Sequence, residues 1–506
     1  MTHRHTAPRQ TALRLIGLLL LAALAAPVSA PALAQDDLSQ TYTTLDGALT
    51  FRHPAGWAVV EQFGTITLAN SQAALDALNT AAQLEPGQIA VAVIPPAGLA
   101  EQLTLMGLSL DGDAEGLIAD YIALLGTEGT FSAPQAISAG DKLVVKTSGA
   151  TFGLTQALYA VDLGPGGLAL VAAAAADEAT LAAAEPTLLA VIESFSAQAL
   201  AAPVETGSVV WQQQMPVSGE AFEPGNVNGF IDVVSGAGDT LYVLDMLAGV
   251  HVFTADGTYQ GLLGGADAPY YFADITAAPD GTLWGIDYAG TVTQVAPDGT
   301  QRAAFSITDG AGYAVGFNVQ IVAGPDANLY ILISTPGAAE NEQIGQIVVF
   351  DPAGQQLRTF ELGRADYFYS AAIAFGPDGY LYAAESSGDG GVRVFDTQGA
   401  LLREGLGASV LFVGPGALAV APDGSIYVSA PATGAIYHFA PDGTLLGRFG
   451  SSQFDLMSFD TQQEEHPPFE PGVFYEIPGL AVLSNGDVVA ADSNLSFAQL
   501  VRVRFD

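Results

Sequence analysis

Four carboxylates, Asp245, Asp287, Glu385 and Asp492, each close a short apolar run. Acidic groups repeated in this way could accept hydrogen bonds from a sugar or a peptide. They could also hold Ca2+, which needs oxygen ligands alone. Tyr271, Tyr369 and Tyr475 lie in segments that lead into other apolar runs. A tyrosine ring there could stack on a sugar or a side chain. These seven residues are the candidate ligand site. The same residue types also serve structure: Asp after a strand accepts amides of the following turn, and aromatics fill the wedge between packed sheets.

The rest of the inventory argues against an evident reaction. The chain has no Cys, so disulfides, thiolate nucleophiles and thiolate metal sites are absent together. The only lysines are Lys142 and Lys146, both in the first half. In the second half the histidines are His251, His438 and His466. The first two stand at equivalent places in different repeats, expected on outward-facing strand positions, which makes no shared metal site. His53, beside Pro54, reads as a solvated turn residue. Asp111-Gly-Asp113-Ala-Glu115 lacks the spacing of an EF-hand loop. No glycine-rich phosphate loop follows a strand and opens a helix. No catalytic residue is nominated, and no cofactor is expected beyond Ca2+.

What must position the candidates is a repeat. One copy reads Ile275-Thr-Ala-Ala-Pro-Asp-Gly-Thr-Leu-Trp-Gly-Ile-Asp287, and others run from Ile373 to Glu385 and from Leu418 to Val428. Weaker copies start near Ile231, Val319 and Leu480. Asp-Gly supplies the left-handed backbone of a tight hairpin, and the flanking β-branched and aromatic residues suit strands. Six copies over roughly 300 residues have the period of propeller blades. Aligned, they place Asp245, Asp287, Ile333, Glu385, Ala430 and Asp492 at one position. That position and the tyrosines before the inner strands should share one mouth of the channel. The last copy ends at Phe505 with no outer strand, and Ser208 to Val217 alternates appropriately to supply it. The strings Gly424-Ser-Ile-Tyr-Val428 and Val392-Arg-Val-Phe-Asp-Thr-Gln-Gly399 resemble NHL repeats. That resemblance implies a six-bladed β-propeller and, most often, binding of proteins, RNA or small ligands, with a minority of related propellers being enzymes.

Residues 39–200 read as a small α+β domain with an antiparallel sheet, and 201–207 as a linker to the propeller at 208–506. Phe51-Arg-His-Pro-Ala-Gly-Trp57 and Val191-Ile-Glu-Ser-Phe195 resemble PsbP-like domains. Asp177 to Phe195 reads as a helix with a kink or restart at Pro186.

Arg4, Arg9 and Arg14, the apolar run Leu15 to Ala26 and Ala32-Leu33-Ala34 read as a signal peptide, residues 1–34. Export to an extracellular or periplasmic-type compartment is expected, and no later run is long enough for membrane insertion. Fourteen basic residues against 53 acidic give a net charge of −39, which repels nucleic acid and anionic membranes. The expected function is therefore an exported, non-catalytic binding protein whose propeller mouth engages a glycan, a peptide or a partner protein. The alternative is a propeller hydrolase or lyase using the same acidic mouth, with Ca2+ as its aid.

Overall fold

The computed structural model describes residues 38–505, apart from 104–112, 199–205, 218–226, 266–269, 309–318, 367–370, 386–390, 453–467 and shorter stretches of one to three residues. The expected leader therefore lies outside the described residues, as do Tyr369 and His466. The chain divides into two compact units, with the boundary at Ala202–Pro203. No helix among the described residues is long and apolar enough to cross a membrane.

The first unit is α+β. Its main sheet is antiparallel, with Ile89–Ile94, Leu168–Ala175, Leu154–Asp162 and Lys142–Thr151 side by side in that order at its centre. The run Leu168–Ala175 is apolar without alternation because both its faces are covered. Val171 and Ala173 pack with Leu181, Leu188 and Ile192 of the helix Glu178–Glu193. Leu170 and Ala172 face the other way, onto Leu117 and Ile118 of the helix Ala114–Leu125. Asp177 caps the longer helix, accepting the Thr180 amide at 2.7 Å. This helix runs unbroken through Pro186, so the expected restart does not occur; its buried face holds it against the sheet. Trp57 and Phe195 are core residues. His53 corrects the expectation of a solvated ring: it is buried, with Nδ1 3.0 Å from the Pro54 carbonyl.

The second unit is a β-propeller of six four-stranded antiparallel sheets. The inner strands are Phe230–Ser235, Asp274–Ala277, Gln320–Ala323, Ala371–Phe375, Leu418–Val420 and Gly479–Val482, for blades 1 to 6. Each touches the inner strands of the blades beside it, and the sixth touches the first. The Asp-Gly turns behave as their chemistry requires, with Gly281, Gly299, Gly379, Gly424 and Gly443 all at φ between 78° and 90°. Blade 6 contributes three of its own strands, and its fourth is Gly207–Pro216, paired antiparallel with Phe497–Phe505. Both faces of a blade are covered by neighbouring blades. His251 and His438 are therefore buried, 1% and 8% exposed, rather than facing out as their strand positions suggested.

Candidate functional site

The carboxylates that close the second strands act on the backbone around them. Asp245 Oδ1 accepts the amides of Leu247 and Ala248 at 2.9 and 2.7 Å, and its Oδ2 accepts that of Asn228 at 2.7 Å. Burial pushes this carboxyl upward, but the His251 ring 3.6 Å away and the three amides outweigh it and hold it below its ordinary value. Asp492 is fully buried and is saturated in the same way. Oδ2 accepts the Tyr475 amide at 2.8 Å and Gln499 Nε2 at 3.0 Å, while Oδ1 accepts the amides of Glu476 and Ile477 at 2.9 and 3.0 Å. Asp287 accepts the amides of Ala289 and Thr291 within its own turn, and Glu385 meets Arg393 Nη1 at 3.2 Å. Asp245 and Asp492 thus tie the turn after the second strand to the segment that enters the inner strand. This places both elements at one end of the propeller.

Because all four backbone and side-chain donors to Asp492 are protein groups, Asp492→Asn should be costly: an amide cannot accept on both of its heavy atoms. A loss of about 2–4 kcal/mol is expected in urea denaturation of the whole chain. An unchanged midpoint would show that these bonds contribute little.

At this end the tyrosines differ. Tyr271 is 58% exposed and makes no side-chain hydrogen bond among the described residues, whereas Tyr475 is half-buried. At the same end of the propeller stand three more exposed apolar groups, Met246 and Leu247 in the turn of blade 1 and Tyr288 in the same turn of blade 2, at 53, 62 and 50% exposure. Tyr271→Ala should accordingly leave the melting temperature within about 2 °C, since surface substitutions stay near 0.5 kcal/mol.

The channel itself carries a feature absent from the seven candidates. At one equivalent inner-strand position the six blades place Asp232, Asp274, Gln320, Ala372, Ala417 and Gly479, read from the partners Leu244, Ile286, Leu332, Ala384, Ser429 and Ala491. The three polar side chains reach across to the next blade. Asp274 Oδ2 accepts the Ile321 amide at 2.6 Å and Gln320 Oε1 accepts that of Ile373 at 2.9 Å, while Asp232 accepts the Val233 amide at 2.7 Å and lies beside that of Ile275. Asp232 and Asp274 are close enough to feel each other's charge, so burial and mutual repulsion oppose ionising both. Burial pushes Asp232 up to about 7 against the lowering effect of the Val233 amide. Burial and then the charge of Asp232 push Asp274 well above the usual carboxylate range. The channel encloses about 280 Å3, acidic along blades 1 and 2 and lined by Ala372 and Ala417 opposite. The sequence reading missed this pair. Its signal is Phe230-Ile-Asp232 matched by Phe272-Ala-Asp274, a polar residue repeated inside an apolar inner strand. Among the described residues no group of three or more His, Cys, Asp or Glu side chains is arranged to hold a metal ion.

No family model and no curated protein matches the sequence. Solved structures similar to this chain include a streptogramin B lyase, at 12% identity over 75% of this chain and 98% of that one, with a TM-score of 0.34. Virginiamycin B lyase from Staphylococcus aureus is similar at 12% identity over 75% and 100%, TM-score 0.35. The WD40 β-propeller domain of Doa1 is similar at 12% over 58% and 96%, TM-score 0.36. The second unit of the chain is a β-propeller by its own six sheets.

Proposed function

We propose that this is an exported, non-catalytic binding protein that grips a peptide segment of a partner with the end of the propeller where Tyr271 emerges. The observation that carries the reading is the gathering of Met246, Leu247, Tyr271 and Tyr288 at that end of blades 1 and 2, all at least half exposed. Large apolar side chains grouped on a surface mark contact with another molecule. A glycan site would set hydrogen-bonding groups around a ring, but Asp245 and Asp287 beside these residues already serve turn amides. A peptide with apolar side chains fits better, and a net charge of −39 favours basic flanks on it. The amino-terminal leader and the NHL-like repeats support export and a binding role.

The test is selection of binders from a random peptide library on the chain without its leader. The expected winners are apolar with basic flanks, and Tyr271→Ala with Leu247→Asp should weaken them at least about tenfold. Binding unaffected by both changes would overturn the reading.

One observation favours a hydrolase or lyase instead: the buried carboxyl pair Asp232 and Asp274 lining the channel, both held above the usual carboxylate range by burial. Each carboxyl accepts a backbone amide, Asp274 from Ile321 of the next blade and Asp232 from Val233, which suits a structural pair better than a general acid. Turnover of any small ester or glycoside, lost in Asp274→Asn with the fold intact, would decide for the enzyme.

A further inference from the structure

Three of the blade junctions are clasped by an arginine. In blade 3, Tyr330 pairs with Val349 and Val349 with Arg358. The guanidinium crosses over Val349, lies 5.4 Å from the Tyr330 ring centroid and bonds the phenol oxygen. Its Nε donates to the Thr397 carbonyl in the outer hairpin of blade 4 at 2.8 Å. Blade 4 repeats this with Tyr382, Val394 and Arg403, which reaches the Pro441 carbonyl of blade 5. In both blades the phenol donates to the aspartate of the first turn, Asp326 at 3.0 Å and Asp378 at 2.8 Å. Arg502 of blade 6 reaches the equivalent hairpin carbonyl of blade 1, Ala255, at 2.9 Å.

In blade 5 the same register reads Tyr427, His438, Gly447. No arginine stands there, and blade 6 offers no outer hairpin to receive one. Its fourth strand comes from before blade 1, so no turn joins its third and fourth strands. Ring closure therefore leaves a cavity of about 560 Å3, lined by Asp423, Ser425, Tyr427, His438, Arg504 and Phe505. His438 is 8% exposed, stacks on Tyr427 at 4.6 Å between centroids, and neither ring nitrogen has a hydrogen-bond partner among the described residues. Native structures leave few buried polar groups in that state. Burial holds the imidazole below its usual pKa, so at neutral pH it is uncharged and offers one lone pair. The Tyr427 hydroxyl, bonded twice in the sibling blades, has no partner among the described residues. Asp423 uses Oδ1 for the Ser425 amide, and its Oδ2 has no hydrogen-bond partner among the described residues. Arg504, also at the cavity, has Nε and Nη2 on Asp487 at 2.8 Å each.

We infer that this cavity binds a guanidinium group presented from outside, the arginine side chain of a peptide. The open acceptors are a carboxylate oxygen, a phenol oxygen and an imidazole nitrogen, where blades 3 and 4 hold a guanidinium of their own. A planar group with five N–H donors matches that set. The site belongs to the first-to-second-strand turns, the end of the blades opposite Tyr271, and is independent of the function proposed above.

The experiment titrates the full chain without its leader with N-acetyl-arginine amide, following the His438 imidazole by 1H–15N correlation. A saturable shift of that resonance is expected. Asp423→Asn and Tyr427→Phe should each weaken it about tenfold or more while melting as the parent does. Neither change removes a bond within the protein, since the Asn oxygen can still accept from Ser425 and the phenol has no partner to lose. N-acetyl-citrulline amide, neutral and of the same shape, should bind far more weakly. The inference is overturned if the His438 resonance does not move, if both variants bind as the parent does, or if citrulline binds as well as arginine.

Discussion

A chain lacking Gly207–Pro216 is expected to lose the cooperative unfolding of its propeller, or to melt more than about 10 °C lower. The segment pairs along its length with Phe497–Phe505 and is the outer strand of blade 6. Trp211 packs against the core of blade 1 and donates Nε1 to the Ala255 carbonyl at 3.1 Å, beside Arg502 on the same oxygen. Removing it reopens an edge and frees that clasp. A loss of several kcal/mol follows, and in a unit of this size each kcal/mol moves the midpoint by roughly 2–4 °C. Deleting residues 35–39 should leave the propeller transition where it was. Equal midpoints for the two deletions, followed by calorimetry, would contradict ring closure as the source of stability.

The second large effect concerns pH. Asp232 and Asp274 have folded pKa values raised above those of an unfolded chain, chiefly by burial. Between the unfolded value near 4 and the folded value of about 7 for Asp232, the native state binds more protons than the unfolded one. Their contribution to stability is therefore greatest below about pH 4 and declines as pH rises to 7. Asp487, held down to about 2 by Arg504 and its other partners, works in the opposite sense, its contribution being lost as pH falls towards 2. Asp274→Asn separates the two. The amide oxygen can still accept from Ile321, the amide nitrogen can donate to Asp232, and no second charge has to be buried. The variant should be more stable than the parent at pH 8 by about 1–3 kcal/mol and lose most of that advantage at pH 4. Urea midpoints at the two pH values measure it. A variant less stable than the parent at both would mean the carboxyl of Asp274 makes bonds that the amide cannot replace.

Much of the architecture was open to reading because its chemistry is local. An Asp-Gly pair needs only its own φ to make a hairpin, so turns such as Asp280-Gly281 and Asp423-Gly424 announce the blades, and their count announces the ring. The missing outer strand after Phe505 and the alternating stretch at 208–217 predict their own pairing for the same reason. The place of Tyr271 just before an inner strand was legible in the same way.

What contacts what across blades was not local. Asp245 and Asp492 look like ligand groups in the sequence, and only the fold shows their oxygens filled by amides from the entering segments. Alternation suggested outward positions for His251 and His438, but a blade has no outward face once its neighbours are packed. Asp232 and Asp274 lie 42 residues apart, and only the curvature of the ring sets one carboxyl against the other in a place too dry for both to ionise. Gly447 is an ordinary strand glycine in the sequence. It brings no guanidinium to this junction, and because the ring closes there with a strand from the other end, blade 6 has no outer hairpin for a clasp like those of blades 3 and 4 to hold.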